Sequence, residues 1–207
     1  MKKTVLGIMM LLFATISSYA DMIQVGTIQA MRFNPITQQF EECTLNIAKN
    51  DKIKSANDGL LQILPENGQA KLWITSKSTI KNLVATIDKV LEWYEVSKQH
   101  KKELANAVIP IKKKYYIWFD NNRNSNGWYQ LNVQLTTKLN ENNEIEFVNV
   151  AVKTDGLNNT SSWVQPAYGA YGTQTISYRI VDLEQIKKLK DLIESDNIEK
   201  LDEDLFH

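Results

Sequence analysis

Hydrophobic and polar residues alternate most regularly in the second half of the chain. In residues 128–139, Tyr129, Leu131, Val133 and Leu135 fall on one parity, and the residues between them are mostly Gln, Asn, Thr and Lys. Such alternation is typical of a β-strand with one buried and one solvated face. Similar patterns predict strands at three further places: residues 111–120, 144–153 and 174–181.

The connections between these segments favour antiparallel pairing. Residues 121–127 and 140–143 are rich in asparagine, which tolerates the left-handed backbone of tight turns. The connection over residues 154–173 is longer than an ordinary loop of a compact domain. We therefore predict an antiparallel β-meander spanning about residues 111–181.

The strand over residues 144–153 is less regular than its neighbours. Ile145 and Phe147 share one parity, whereas the valines at 148, 150 and 152 take the other. This change of parity predicts either a β-bulge near residues 147–149 or burial on both faces of the strand.

The hydrophobic period changes to that of a helix after residue 78. Apolar residues from Ile80 to Tyr94 recur at spacings of three and four. Pro110 disfavours a helical conformation at the residue before it, so it marks a helix end. We predict a long helix over about residues 78–108 that packs against the meander.

The two ends of the folded region carry further elements. Asp182 and Gln185 have capping-box spacing ahead of an apolar stripe, which predicts a C-terminal helix. Short apolar runs before residue 75 predict strands that either extend the meander or form an N-terminal sub-sheet over residues 21–75. The fold class is α+β, and no break in composition divides residues 21–207 into two domains.

Residues 1–20 have the pattern of a secretory signal peptide. Lys2 and Lys3 precede an uncharged apolar stretch, and Ser18 and Ala20 place small residues at the cleavage positions. The apolar stretch is shorter than the roughly 20 residues that a bilayer span needs, so we expect no transmembrane anchor after cleavage. The protein is predicted to be secreted or periplasmic. Its 21 lysines, 3 arginines and 19 asparagines suggest an AT-rich bacterial genome.

The residues that most often perform catalysis are scarce. His100 and His207 are the only histidines, Cys43 is the only cysteine, and none of the common hydrolase, nucleotide or zinc motifs is present. We therefore expect no intramolecular disulfide, no metal site and no cofactor, and we favour a non-catalytic protein. The net charge of zero argues against a nucleic-acid partner.

Aromatic residues supply the candidate binding surface. Tyr116, Trp118 and Trp128 fall on the polar parity of their strands, among Lys, Gln, Asn and Thr. Exposed aromatic rings beside polar groups are typical of recognition surfaces. Three loop residues extend the predicted surface: Trp163, Tyr168 and Tyr171. The alternative is that the loop over residues 154–173 folds across this face and buries all six rings.

Three functions fit these observations. The first is an exported interaction protein that acts by protein–protein contact through the aromatic face. The second is a carbohydrate-binding or cell-wall-binding module that uses the same rings. The third is a hydrolase that works with a pair of carboxylates, because glycoside hydrolysis needs no other catalytic groups.

Overall fold

The predicted combination of antiparallel sheet and helices is confirmed in a computed structural model of the chain. The structure describes residues 22–34, 37–50, 59–66, 70–119, 126–154 and 177–194. The predicted signal peptide, most of the connection over residues 154–173, and the C-terminal tail lie outside the described residues. Their predictions stay predictions.

Nine strands and two helices occupy the described part of the chain. The strands are, in chain order, β1 (Ile23–Asn34), β2 (Gln39–Lys49), β3 (Leu61–Pro65), β4 (Ala70–Ile74), β5 (Leu104–Ile109), β6 (Lys114–Phe119), β7 (Gly127–Leu139), β8 (Ile145–Thr154) and β9 (Ser177–Ile180). The helices are α1 (Lys77–His100), between β4 and β5, and α2 (Leu183–Glu194), after β9. Neither of these helices combines the length and apolar character needed to cross a bilayer.

All nine strands belong to one sheet, in the order β5-β7-β6-β4-β3-β2-β1-β9-β8. Every pairing is antiparallel, and β7 also pairs with β8, so the sheet closes on itself. β6 and β5 share one edge of β7, at its beginning and its end respectively. The strands that precede α1 join the later strands through the β4–β6 and β1–β9 pairings.

The two faces of the sheet differ in character. We call the side of β7 that carries Leu131, Val133 and Leu135 the apolar face, and the opposite side the polar face. Cross-strand register extends both faces around the sheet, because paired residues point to the same side. Buried residues on the apolar face of every strand belong to one core cluster. This cluster also includes Ile87 and Val90 of α1.

Both helices pack on the apolar face. The hydroxyl of Tyr115 on β6 donates to Asn82 Oδ1 of α1 over 3.0 Å. The backbone N–H of Gln29 on β1 donates to Gln185 Oε1 of α2 over 2.8 Å. A side chain at Gly26 would meet Leu192 of α2 at 2.5 Å, so the glycine permits this close packing of α2 on β1.

The first helix is shorter than the predicted 78–108 segment, so that prediction is confirmed only in part. α1 begins after Ser76, whose hydroxyl accepts from the Thr79 backbone N–H, and it ends at His100. Lys101 takes a left-handed conformation with φ of 49°, which terminates the helix. Residues 104–109 then form β5 instead of continuing the helix.

A buried hydroxyl pair fixes this change from helix to strand. Thr137 Oγ1 on β7 lies 2.7 Å from Ser97 Oγ on α1 and accepts the Leu104 backbone N–H over 3.0 Å. Ser97 Oγ donates to the Lys102 carbonyl over 2.6 Å. The end of α1, the start of β5 and the end of β7 are therefore joined by one hydrogen-bond network, in which Thr137 is more than 30 residues from its partners.

The irregular parity in β8 comes from a bulge. Lys138 pairs with Phe147 and Leu139 pairs with Ile145, so Glu146 is an extra residue opposite the β7 ladder. This position lies slightly before the predicted 147–149 segment. The bulge places Phe147 on the polar face with 40% of its surface exposed, and it turns Val148 and Val150 towards the core.

Alkaline pH is expected to destabilise the fold through Tyr115. Burial raises the pKa of Tyr115 to about 12, from an ordinary value of 10.0. Between these values the unfolded chain loses the proton that the folded chain keeps. The stabilisation is therefore complete below pH 10.0 and is lost as the pH rises towards 12, by about 2–3 kcal/mol.

Urea unfolding of the wild type and Tyr115→Phe at a series of pH values measures this effect. We expect a shallower alkaline loss in the variant, but not a flat profile, because burial also raises the pKa of Tyr178. An identical slope in both proteins would contradict the assignment to Tyr115.

Candidate binding surface

Three aromatic residues form a row across neighbouring strands on the polar face. Trp73 on β4 pairs with Tyr116 on β6, and Tyr116 pairs with Trp128 on β7. Directly paired side chains on one face lie about 4.5–5.5 Å apart at their Cβ atoms. The register therefore places the three rings side by side, perpendicular to the strands. We call Trp73, Tyr116 and Trp128 the aromatic row.

Contacts between the rings extend this row to Trp118 and determine how the rings are tilted relative to one another. The rings of Tyr116 and Trp128 meet edge to face, with centroids 5.5 Å apart and an interplanar angle of 74°. Trp118 lies beside the row, and its ring centroid is 6.1 Å from that of Trp73 at an angle of 39°. Such offset and tilted arrangements are the favourable geometries for aromatic pairs. The rings are therefore held in place, but they do not form a flat platform.

A lysine lies between the two tryptophans at one end of the row. Lys71 Nζ is 5.7 Å from the ring centroids of both Trp73 and Trp118, within the range of a cation–π interaction. Lys71 itself is buried. Its ammonium group therefore lies over the faces of both indole rings.

Solvent reaches the other end of the row. Trp128 is 58% exposed, whereas Tyr116, Trp118 and Trp73 are partly buried. The structure thus brings together the three predicted strand residues Tyr116, Trp118 and Trp128 on one face. The three predicted loop residues Trp163, Tyr168 and Tyr171 lie outside the described residues, so their part in the surface stays a prediction.

Sequence reasoning did not include Trp73 or Lys71 in this surface. Both lie in a five-residue strand before α1, and the pairing of β4 with β6 spans the whole helix, so no local pattern indicates it. Gly59 is a weaker sequence signal for the position of the Trp73 ring. A side chain at Gly59 would meet the Trp73 ring at 2.8 Å, and the glycine allows the indole to lie on the backbone.

A buried amide flanks the aromatic row. Gln62 on β3 pairs with Trp73 and is only 6% exposed, and its Nε2 atom has no hydrogen-bond partner. A buried donor without a partner costs about 1–3 kcal/mol, so it is uncommon in native structures. The polar face beside the aromatic row therefore includes an unpartnered amide donor on β3.

The charged residues on the three strands of the row are all lysines. The strands β4, β6 and β7 contain no aspartate or glutamate, and they carry Lys71, Lys114 and Lys138. Lys114 pairs with Gln130 on the polar face, next to the aromatic row, and is exposed. The surface therefore combines aromatic rings with positive charge.

The other residues considered for chemistry lie elsewhere. Cys43 is partly buried, and burial raises the pKa of its thiol, although the charge of Arg32 opposes part of this rise. His100 is exposed at the end of α1. Within the described ranges, no three His, Cys, Asp or Glu side chains are grouped so that they would hold a metal ion.

Two tryptophan substitutions are expected to differ in their effect on stability. Trp128→Ala removes a mostly exposed ring and should lower the free energy of unfolding by less than about 1 kcal/mol. Trp118→Ala removes the contacts with Trp73 and Lys71 and should cost about 1–3 kcal/mol. Guanidinium melts of the two variants measure both values. A loss of several kcal/mol for Trp128→Ala would show that its ring is part of a core.

No known protein family, curated protein or solved structure matches this chain. The functional argument therefore rests on the residues of the polar face.

Proposed function

We propose that the protein is an exported, non-catalytic binding protein that holds an acidic protein partner on the aromatic row. The observation that carries this proposal is the continuous row of Trp73, Tyr116 and Trp128, with Trp128 58% exposed at its end. Tryptophan and tyrosine dominate the binding energy of protein interfaces because they bury a large area with few rotatable bonds.

The tilt between the aromatic rings favours a protein partner over a flat polysaccharide. The ring planes differ by 74° in one pair and by 39° in the other, so no common plane is available for stacked sugar rings. A protein partner can instead fill the gaps between tilted rings with its own side chains, as the well-packed centres of protein interfaces do.

Charge favours an acidic partner. The three strands that carry the aromatic row and Trp118 lack carboxylates, and the nearby Lys112 and Lys114 are exposed. Opposite charges at an interface increase the association rate, and salt weakens this effect. The export of the protein rests on the signal pattern in residues 1–20.

Co-purification from the native cell envelope tests the proposal with a matched pair of variants. Trp128→Ala removes the exposed end of the row. Phe147→Ala removes another exposed aromatic side chain on the same face, about 33 Å away along β7. We expect a stoichiometric acidic partner with the wild type and with Phe147→Ala, and its loss with Trp128→Ala.

Two results would contradict this function. The first is a wild-type protein that always purifies alone. The second is a partner that Trp128→Ala retains as fully as the wild type does. Lys114→Glu gives a separate readout: it should slow association at low salt, whereas Lys138→Glu, next to Phe147, should change the rate much less.

A second candidate function is glycan binding, and one observation favours it. The unpartnered Nε2 of Gln62 lies next to Trp73, and amide donors beside aromatic rings suit a ligand rich in hydroxyl groups. Titration of tryptophan fluorescence with cell-wall glycans distinguishes the two functions. A saturable change that Trp128→Ala abolishes supports the glycan, and a flat titration supports the protein partner.

A further inference from the structure

One face of α1 changes the sign of its charge along the helix. Lys77 and Lys81 are four residues apart near its start, and both are exposed. Asp88 and Glu95 follow at intervals of seven residues and are exposed as well. Spacings of four and seven place side chains on the same side of a helix, so these four residues form one stripe. The stripe is basic over the first two turns and acidic further along.

The lysines of α2 lie against the acidic part of this stripe. Lys190 Nζ is 2.6 Å from Asp88 Oδ1. The pKa of Lys187 is raised by its hydrogen bond to Glu184 and, in addition, by the charge of Glu95. α2 therefore runs antiparallel to α1 and sets its own positive charges against the negative charges of the stripe.

α2 ends beside the point where the stripe changes sign. Glu194 is its last residue, and Glu194 Oε2 is 3.7 Å from the same Lys190 Nζ that binds Asp88. Lys81 lies seven residues before Asp88, about 10 Å along the helix. Because α2 is antiparallel to α1, its end points towards Lys81 and Lys77.

No described carboxylate balances the basic part of the stripe. Residues 70–87 contain no aspartate or glutamate, and neither Lys77 nor Lys81 has an ion pair with a described residue. A third exposed lysine is close, because Lys113 Nζ donates to Ser78 Oγ over 2.8 Å. We call Lys77, Lys81 and Lys113 the lysine group. Like charges four residues apart on a helix repel each other, so an acidic segment on this surface would be stabilising.

The sequence becomes acidic immediately after α2. Residues 195–207 lie outside the described residues, and their sequence contains five acidic residues and one lysine. Three of the acidic residues are adjacent: Asp202, Glu203 and Asp204. The chain between Glu194 and Asp202 spans up to about 25 Å when extended, so this acidic run can reach the lysine group.

We propose that the lysine group is the docking surface for the chain's own acidic segment, residues 195–207. The carboxylates of Asp202, Glu203 and Asp204 accept hydrogen bonds from the three lysine ammonium groups. The contact continues the interface between α1 and α2, with the charges of the two partners exchanged. Because the segment is tethered at Glu194, its effective concentration is high, and ion pairs that are weak between separate molecules suffice. The contact requires neither the aromatic row nor an external partner.

The other end of α1 offers a matched comparison. It carries three further exposed lysines, which we call the comparison lysines: Lys98, Lys101 and Lys102. Lys98 is about 15 Å from Asp88 along the helix, so the segment can reach this end as well. Glu95 and Glu103 are exposed in the same stretch and balance part of its charge. We therefore expect the segment to contact the lysine group and not the comparison lysines.

Carbodiimide cross-linking of the purified full chain tests the proposal, because the reagent forms an amide bond between a carboxylate and an amine that touch each other. We expect cross-links from residues 202–204 to the lysine group within single molecules. They should be at least about tenfold more abundant than those to the comparison lysines, and they should fade in about 1 M salt. Similar abundance for both sets of lysines, no cross-links, or cross-links only between two molecules would overturn the proposal.

Charge reversal at single lysines gives an independent readout in NMR spectra of the full chain. Lys81→Glu places a negative charge in the docking surface and should shift the backbone amide signals of residues 202–204. Lys98→Glu is the matched control and should leave these signals in place. Both lysines are exposed, so both variants are expected to fold. Signals that ignore Lys81→Glu, or that respond equally to the two variants, would contradict the proposed contact.

Discussion

Replacing Leu135 with alanine is expected to lower the free energy of unfolding by about 3–5 kcal/mol. Leu135 is fully buried on the apolar face of β7, where it pairs with Ala107 on one side and Val150 on the other. Because strands hold it from both sides, the cavity that alanine leaves cannot collapse easily, and the cost falls at the high end for such substitutions.

Urea unfolding with linear extrapolation measures this loss. Val108→Ala is the matched control, because Val108 lies on the opposite face of the same strand pair and is 55% exposed. It should cost less than about 1 kcal/mol. Similar losses for both substitutions would show that the two faces of the sheet are not buried as the register indicates.

The second large effect is expected at Thr137. Replacement by valine keeps the size of the side chain but removes the hydroxyl that contacts Ser97 Oγ and accepts the Leu104 N–H. The Leu104 donor then has no partner beside a side chain that is 1% exposed. We expect a loss of about 2–4 kcal/mol, from the unsatisfied donor and the lost hydrogen bond to Ser97 together.

Thermal and urea unfolding of three threonine variants isolates this hydroxyl. Thr137→Ser keeps the hydroxyl and should recover most of the stability. Thr136→Val removes a hydroxyl on the exposed side, where it bonds to Asn106, and should cost less than about 1 kcal/mol. The proposed network is wrong if Thr137→Val is as stable as Thr137→Ser.

The strands of the second half of the chain were predictable because their pattern is local. Alternation in residues 128–139 correctly separates the buried Tyr129, Leu131, Val133 and Leu135 from the polar side. A strand that buries one face needs apolar residues at every second position, and this requirement does not depend on which strand it pairs with. The change of parity in β8 likewise marks a real bulge.

The end of α1 was not predictable from local pattern. Residues 101–108 contain no proline or glycine, and Pro110 is the first clear helix-breaking residue. The helix ends earlier because Lys101 adopts a left-handed conformation and because the Thr137 hydroxyl forms hydrogen bonds with both Ser97 and Leu104. The last of these contacts joins residues more than 30 positions apart, and tertiary contacts of this kind regularly override local preference.

The candidate surface was predictable only where a local pattern of alternation indicates it. The parity of β6 and β7 indicates that Tyr116, Trp118 and Trp128 share the polar face. The contribution of Trp73 depends on the pairing of β4 with β6. The sequence around these residues does not indicate that pairing, so only the folded sheet brings Trp73 beside Tyr116.

Photo-cross-linking in the native cell envelope tests the central claim most directly. A photoreactive phenylalanine analogue replaces Trp128 in one protein and Phe147 in another, because these are the exposed aromatic side chains among the described residues of the polar face. If the aromatic row is the docking surface, irradiation yields one discrete cross-linked protein from position 128 and none from position 147. Cross-linking from position 147 alone, or from neither position, would contradict the account.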